Sequence, residues 1–591
     1  MKIDININYL ISSVFIKRLQ ALGVKHALIS PGSRNTPLVC VLAECTEITK
    51  TVIIDERSSS FFALGTAKVS NTPVLIVTTS GTAVAELYPA IVEAYQNRIP
   101  LIICTADRPA ELLDCGANQT INQDNIFANH IRMYYNIKQF NTTEESLNKL
   151  LDITEEVYLI ATRFDSGPVH INFPFDKPLE PESFTTNINS DVFEKINESV
   201  NKPITDFSNN YNLVSKKITN VAEKLKSLRK GIIIVGPGNY STEFFDQCLL
   251  FAKMFNFPIF ADALSSFRFY KSSNKFLLNN YPIFLANELI FEKLQAEIII
   301  QFGKTPTAKY LLEYFGKSNA YKILINTFGG LFDPSKSADL ILGIDELKFL
   351  KTLLSDLNEF DLSPNSTWFD LIKGLDDIAE TVKSKTIIDA DFPFEGKIVL
   401  EVLKNVPQNS NLVLANSMPP RDLDYYAGSV DNNVTVYCNR GASGIDGNTA
   451  TAAGIAANCL QNTYFITGDL SFLHDIGSLF VLKQQDIRLC VVLINNNGGG
   501  IFNMLPISKN ENVFEKYFLT PHNLSFKEIV KGFGGNYCII NSWEHLKTEL
   551  AKFEISTGYT ILEIQTNSQI SAIARNNYKQ AVINEITNKI N

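Results

Sequence analysis

Positive charge is in short supply: 53 lysines and arginines face 62 aspartates and glutamates, a formal net charge of −9. An acidic body attracts neither nucleic acid nor an anionic membrane surface, so any anionic ligand must be met by local arginines. No uninterrupted apolar run approaches the length of a membrane span. The opening MKIDININYLISSVFIKRLQALG lacks a basic n-region, a long apolar h-region and a small-residue cleavage site. It predicts a strand or turn and then an amphipathic helix rather than an export signal. Nine cysteines show no C-x-x-C pair and no regular spacing, which fits reduced thiols in a cytoplasmic protein.

What is present describes a globular chain with a large buried interior. Its 591 residues, 45% hydrophobic and 19% charged, exceed one core and predict two to four domains. Two polar stretches poor in long apolar runs, about 187–230 and 355–390, divide the chain into segments near 1–185, 205–355 and 390–591. Each alternates β-branched runs with helical patterns, the mark of α/β domains with doubly wound parallel sheets. In the middle segment the strands are GIIIVG (231–236), AEIIIQFG (296–303) and KILINTFG (322–329); the nearby GPGN (236–239) is read as a structural turn. The outer segments share a rhythm. VLIVTTSGTA (74–83), AVAELYPAIVEAYQ and IPLIICTADR (99–108) predict strand, helix and strand, as do YFITGDLS (464–471), FLHDIGSLFVLKQQ and IRLCVVLINNNGG (487–499).

The last of these units carries chemistry. Ligands of parallel α/β sheets sit beyond the carboxyl ends of strands, where Asp469 and Asn496 fall on strands that a right-handed crossover can make neighbours. A carboxylate, an amide oxygen and a main-chain carbonyl near Gly498 suit Mg²⁺, which completes its octahedron with water and phosphate oxygens. Gly498-Gly499-Gly500 lets backbone approach a ligand, and a helix starting near Ser471 can aim amides at a phosphate. G-D or N-N-G alone is ordinary turn chemistry; together, in strand–helix–strand context, they predict a metal–diphosphate site.

GDLS followed by NNNGG resembles the diphosphate signature of thiamine-diphosphate enzymes. That resemblance implies two similar α/β domains with a third between them, and a glutamate on the pyrimidine domain. Glu56, in VIIDERSSSFFALGTAK (52–68), matches. Hydrogen bonding to the pyrimidine N1′ promotes the imino tautomer, whose nitrogen takes the proton from the thiazolium C2. Longer stretches, SPGSRNTPL (30–38), TADRPAELLDCGANQTI (105–121), NSMPPRD (416–422), NRGASGIDG (439–447) and NNNGGGIFNMLP (495–506), resemble the 2-succinyl-5-enolpyruvyl-6-hydroxy-3-cyclohexene-1-carboxylate synthases of menaquinone biosynthesis, the MenD family.

By that likeness 2-oxoglutarate is decarboxylated and the resulting carbanion undergoes 1,4-addition to isochorismate. The two substrates are polycarboxylates, which planar guanidinium groups bind in bidentate fashion. Ser33 and Arg34 would face the acceptor; Arg108, Gln119, Ser417, Arg421 and Arg440 would bind carboxylates or hydroxyls. Ile445 would wedge the cofactor into its bent form. Ile501, Phe502 and Leu505 would form an apolar wall, although on pattern alone they are helix core. Met418, Ser443, Gly468, Leu470 and Ser471 would join Ser417, Asp469, Asn496 and Gly498 around thiamine diphosphate, with Mg²⁺ or Mn²⁺ on Asp469, Asn496 and Gly498. In TAKYLLEYF (307–315) Lys309 matches a substrate-reaching residue, but Tyr310 stands where some members have a second basic residue, and no role is assigned to it.

Six histidines include no adjacent pair, which counts against the simple 2-oxo-acid decarboxylases that use one for proton transfer. His474 is expected to pack rather than react. An acetolactate-synthase-type carboligase and a non-catalytic paralogue remain the alternatives. The resemblance further implies a homo-oligomer, dimer or tetramer, in which Glu56 faces a neighbour's diphosphate domain.

Overall fold

The computed structural model describes residues 1–203, 211–270, 274–357, 365–428 and 432–590; the expected start of the middle segment at 205 lies outside the described residues. Packing separates two compact units, Met1–Ser208 with Asn439–Leu460 and His474–Ile487, and Asn209–Cys438 with Gln461–Leu473 and Arg488–Asn591.

The first unit contains β1 (Lys2–Ile5), β2 (His26–Ile29), β3 (Thr49–Val52), β4 (Val74–Thr78), β5 (Leu101–Asp107), β6 (Met133–Asn136), β7 (Val169–Pro174) and β8 (Thr186–Asn189). Six of them form a parallel sheet of order β3-β2-β4-β5-β7-β6, while β1 and β8 pair antiparallel. The expected first strand and helix are β1 and Ile7–Ala21, whose cap is the Asn6 side chain.

The second unit holds two further parallel sheets. Strands β9 (Gly231–Val235), β10 (Ile259–Ala261), β11 (Ile298–Phe302), β12 (Tyr321–Asn326) and β13 (Leu340–Gly343) lie in the order β10-β9-β11-β12-β13. Successive residues of β9 enter opposite cores, Ile233 and Val235 one, Ile232 and Ile234 the other, so this sheet is covered on both faces. The last sheet joins β14 (Asn411–Leu414), β15 (Thr435–Cys438), β16 (Thr463–Gly468), β17 (Cys490–Asn495), β18 (Asn536–Ile539) and β19 (Thr560–Gln565) in the order β15-β14-β16-β17-β19-β18. Numbered from its own first strand, each six-stranded sheet runs 2-1-3-4-6-5. The rhythm shared by the outer segments is thus a shared topology, and each sheet reverses its strand order between its first and third strands, where such folds bind ligands.

Several expectations are corrected. The helix predicted over AVAELYPAIVEAYQ is two, Thr82–Glu86 and Tyr88–Asn97, because Pro89 has no amide hydrogen to continue the ladder. FLHDIGSLFVLKQQ likewise divides into Asp469–His474 and Ser478–Gln484. Between them the Asp475 carboxylate accepts hydrogen bonds from the Ala450 amide and the Ser478 hydroxyl. The helix expected near Ser471 therefore begins at Asp469. The polar stretch 355–390 contains the helix Ser366–Lys383, which buries Trp368, Phe369, Ile372, Leu375 and Ala379; their helical spacing hides them from a search for apolar runs. Finally, Ile501 and Phe502 lie on a short 3₁₀ turn, Gly500–Met504, with Leu505 beyond it 47% exposed. Three glycines before and Pro506 after exclude the core helix expected there.

Candidate active site

The carboxyl ends of β14 and β16, neighbours at the strand-order reversal of the last sheet, deliver Ser417 and Gly468-Asp469. Ser417 sits at φ 80° ahead of the helix Met418–Tyr426, a conformation an L-residue keeps only where surroundings impose it. Its carbonyl accepts a hydrogen bond from the Arg421 guanidinium. Met418 is buried.

Asp469 is 2% exposed. Its Oδ2 accepts from the Gly498 amide at 2.9 Å and lies 3.3 Å from His522 Nε2, while Oδ1 accepts from the Leu470 amide at 2.7 Å. Burial raises this carboxyl above its ordinary range, and the two amides and His522 pull it back. Asn496 follows β17. Its Nδ2 donates to Glu395 Oε1 at 3.0 Å, and its buried Oδ1 has no partner among the described residues.

That amide is held in one orientation by a buried ionic network. Glu395 Oε1 also accepts from the Thr566 hydroxyl at 2.9 Å, and Oε2 accepts from Arg575 at 3.0 Å. Arg575 in turn grips Asp422 through two bonds of 2.9 and 2.7 Å. A Cβ on Gly498, which has φ +146°, would lie 2.1 Å from the Leu519 carbonyl, whereas one on Gly468 would meet nothing within 4 Å. Space is therefore open at Gly468, beside Asp469. The side chain of Ser471 is buried in the same turn.

In the first unit β3 leads to Asp55, which caps the helix Glu56–Ser70. Glu56 opens that helix half-buried. Burial raises its carboxyl; its own amide lowers it, and the like charges of Asp55 and Glu86 add to the rise. The helix is held rigidly against Asn448–Ala457: a Cβ on Gly65 would come within 2.1 Å of the Thr451 carbonyl, and one on Gly454 within 2.1 Å of the Phe62 carbonyl.

The carboxyl ends of β2 and β4, at the other reversal, lead to Arg34 and Ser80, and the end of β5 leads to Arg108. Arg108 donates to Ser80 Oγ at 2.6 Å and to the Asn118 carbonyl at 3.1 Å. Gln119, at φ 57°, donates to the Ser80 carbonyl at 3.0 Å. Arg34 is buried and bonded to the Phe175 carbonyl at 2.9 Å; desolvation and then the Arg108 charge make its protonated form harder to hold. Two guanidiniums near enough for one charge to act on the other would be relieved by a bound anion. Ser33 is exposed in the same loop.

A second loop of this unit, 439–447, is fixed by buried Glu93, whose carboxylate accepts from the amides of Gly441, Ala442 and Ser443 at 2.8, 2.6 and 3.3 Å. It holds Arg440 half-buried and presents Ser443 and Ile445 to solvent. Lys309 opens the helix Lys309–Lys317 of the second unit. Its side chain is 73% exposed and pairs with Glu313, one turn along the same helix, at 3.5 Å.

Two family models match this chain: thiamine pyrophosphate enzyme, N-terminal TPP binding domain, over residues 11–127, and thiamine pyrophosphate enzyme, C-terminal TPP binding domain, over residues 429–564. A protein of Bacillus cytotoxicus named 2-succinyl-5-enolpyruvyl-6-hydroxy-3-cyclohexene-1-carboxylate synthase is 33% identical over 94% of this chain and 93% of its own length. One of Crocosphaera subtropica with the same name is 35% identical over 97% of each. The chain belongs to the MenD family of thiamine-diphosphate enzymes. A solved benzoylformate decarboxylase from Polynucleobacter necessarius shares the fold, with TM-score 0.68 at 16% identity over 94% of this chain and 98% of that one. No described helix is long and apolar enough to cross a membrane.

For a MenD-family protein the donor set is informative. One buried carboxylate, one amide oxygen without a partner among the described residues and a glycine-lined backbone fit a hard divalent cation and a diphosphate. Sequence reasoning missed Glu395, Arg575, His522, Glu93 and Ser80. Ser80 adjoins Gly81 at the end of VLIVTTSGTA (74–83), so its signal is local. The others act across long sequence separations and have no local signature.

Proposed function

We propose that this chain joins 2-oxoglutarate, with loss of CO₂, to isochorismate, giving 2-succinyl-5-enolpyruvyl-6-hydroxy-3-cyclohexene-1-carboxylate for menaquinone biosynthesis. The observation carrying this reading is the match to synthases of that name over nearly the whole chain. In this reading 1–185 is the pyrimidine-binding domain, 205–355 the central domain and 390–591 the diphosphate domain.

When bound, thiamine diphosphate supplies the carbon nucleophile and the electron sink for decarboxylation. Asp469, Asn496 Oδ1 and the Gly498 carbonyl would hold Mg²⁺ or Mn²⁺, with Gly468, Leu470, Ser471, Ser417, Met418 and Ser443 around the cofactor. Glu56 keeps a proton at the pyrimidine N1′, a role suited to a carboxyl whose proton affinity burial has raised. Ser33 and Arg34 would face the acceptor, Arg108, Gln119, Ser417, Arg421 and Arg440 would bind carboxylates or hydroxyls, Ile445 would support the cofactor, and Ile501, Phe502 and Leu505 would form an apolar wall. Lys309 reaches a carboxylate after leaving Glu313. The active protein is a cytoplasmic homodimer or tetramer in which Glu56 serves a neighbour's diphosphate domain.

An assay with 2-oxoglutarate, isochorismate, thiamine diphosphate and Mg²⁺ tests the reading. Formation of the adduct with matching CO₂ release is expected. Faster turnover of pyruvate than of 2-oxoglutarate would reject the substrate assignment.

A further inference from the structure

Among the described residues there is one place where three His, Cys, Asp or Glu side chains bring ligand atoms within 4.8 Å of one another: Cys538, His545 and Glu549. Cys538 lies on β18, the edge strand of the last sheet. His545 and Glu549 are one turn apart on the helix Trp543–Phe553, so both side chains share a face. Cys538 Sγ is 3.7 Å from His545 Nε2, which is 3.7 Å from Glu549 Oε1. Sulfur and nitrogen ligands of a tetrahedral zinc ion, bound at about 2.3 and 2.0–2.1 Å, stand roughly 3.6 Å apart.

The surroundings prepare the imidazole for this task. His545 Nδ1 lies 3.0 Å from Asn541 Oδ1, an acceptor that places the ring proton on Nδ1 and leaves the Nε2 lone pair facing Cys538 and Glu549. The Ser542 hydroxyl accepts the His545 amide at 3.1 Å and fixes the first turn of the helix. All three candidate ligands are half-buried, so a fourth position is open to water.

We propose that Cys538, His545 and Glu549 form a zinc-class metal site, separate from the oxygen-donor site at Asp469, that pins edge strand β18 to the helix behind it. Thiolate, imidazole and carboxylate select zinc over magnesium, and the two anionic ligands neutralise the dication. Binding is balanced by release of the Cys538 thiol proton to solvent and by displacement of Lys552, which pairs with Glu549 at 2.5 Å. A thiol-nucleophile role is disfavoured, because burial raises the Cys538 thiol rather than lowering it.

The test uses the full-length protein saturated with thiamine diphosphate and Mg²⁺, titrated with Zn²⁺ against a competing chelator, and with Co²⁺ as a spectroscopic probe. One zinc per chain, a thiolate-to-cobalt charge-transfer band and a zinc-dependent rise in melting temperature are expected. Cys538→Ser and His545→Gln should lose all three while retaining zinc-free synthase activity, which shows that they fold. Asn541→Ala should weaken binding by about 10–100-fold, and Lys552→Ala should tighten it. Zinc binding that survives Cys538→Ser, a cobalt complex without the thiolate band, or zinc binding lost in Asp469→Asn would overturn the proposal.

Discussion

Glu395 is the residue through which the buried ionic network should control the proposed metal site, and Glu395→Gln tests this without changing volume. Both carboxylate oxygens are committed as acceptors: Oε1 to Asn496 Nδ2 and the Thr566 hydroxyl, Oε2 to Arg575. Glutamine has one acceptor oxygen. Facing its amide nitrogen toward Arg575 would set donor against donor beside a buried cation, so the oxygen stays with Arg575 and the nitrogen turns to Asn496. The Thr566 hydroxyl can rotate to accept, but the Asn496 amide must flip, exchanging its unpartnered Oδ1 for an NH₂ group. Arg575 keeps both bonds to Asp422, so the stability cost should stay near that of one weakened charge-assisted bond, about 1.5–3 kcal/mol. Mg²⁺ affinity should fall about 10–100-fold, as for other losses of an orienting partner. Calorimetric Mg²⁺ titration at saturating thiamine diphosphate measures the second quantity, and thermal unfolding the first. Adding Asn496→Asp should restore Mg²⁺ binding, because aspartate can accept from the glutamine and still offer an oxygen to the metal. Wild-type affinity in Glu395→Gln, or a double variant no better than the single, would refute the orienting role.

Other outcomes follow from the same geometry. Glu56→Gln should retain the fold and cofactor binding, seen by calorimetry, while turnover falls by at least about 100-fold, the scale of a lost proton-transfer group. Arg108→Ala removes a guanidinium anchored to Ser80 and Asn118; losing one charge-assisted contact should raise a substrate KM by about 10–100-fold, read from initial rates. Burial pushes the Asp475 carboxyl up to about 6 in the folded state. A raised folded value means its contribution is complete below its unfolded value of about 3.9 and is lost as pH rises through about 6. Asp475→Asn should therefore flatten the fall in melting temperature across that window.

How much was legible depended on whether the signal was local. Strand-plus-turn motifs such as YFITGDLS and VLIVTTSGTA declare themselves because burial on both sheet faces writes continuous apolar runs, and a turn must follow. The repeated strand order of the outer sheets could be inferred only as a rhythm, since pairing is settled by packing. Helix Ser366–Lys383 went unseen because its buried face is spread at helical spacing among charged residues. The site divides in the same way. Asp469, Asn496 and Gly498 stand at strand ends within one crossover. Glu395 and Arg575, 180 positions apart, meet through tertiary structure alone, and no short window contains the reason for either. Glu93 is similar: it reads as a helix charge until the fold places three amides of residues 441–443 on it.

The most direct test of the metal–diphosphate site is calorimetric titration of the purified protein with thiamine diphosphate, with and without Mg²⁺, in wild type and in Asp469→Asn. Binding of one cofactor per chain that requires Mg²⁺ and fails in Asp469→Asn is predicted. Cofactor binding of equal strength without the metal, or unchanged by Asp469→Asn, would contradict the assignment of that site.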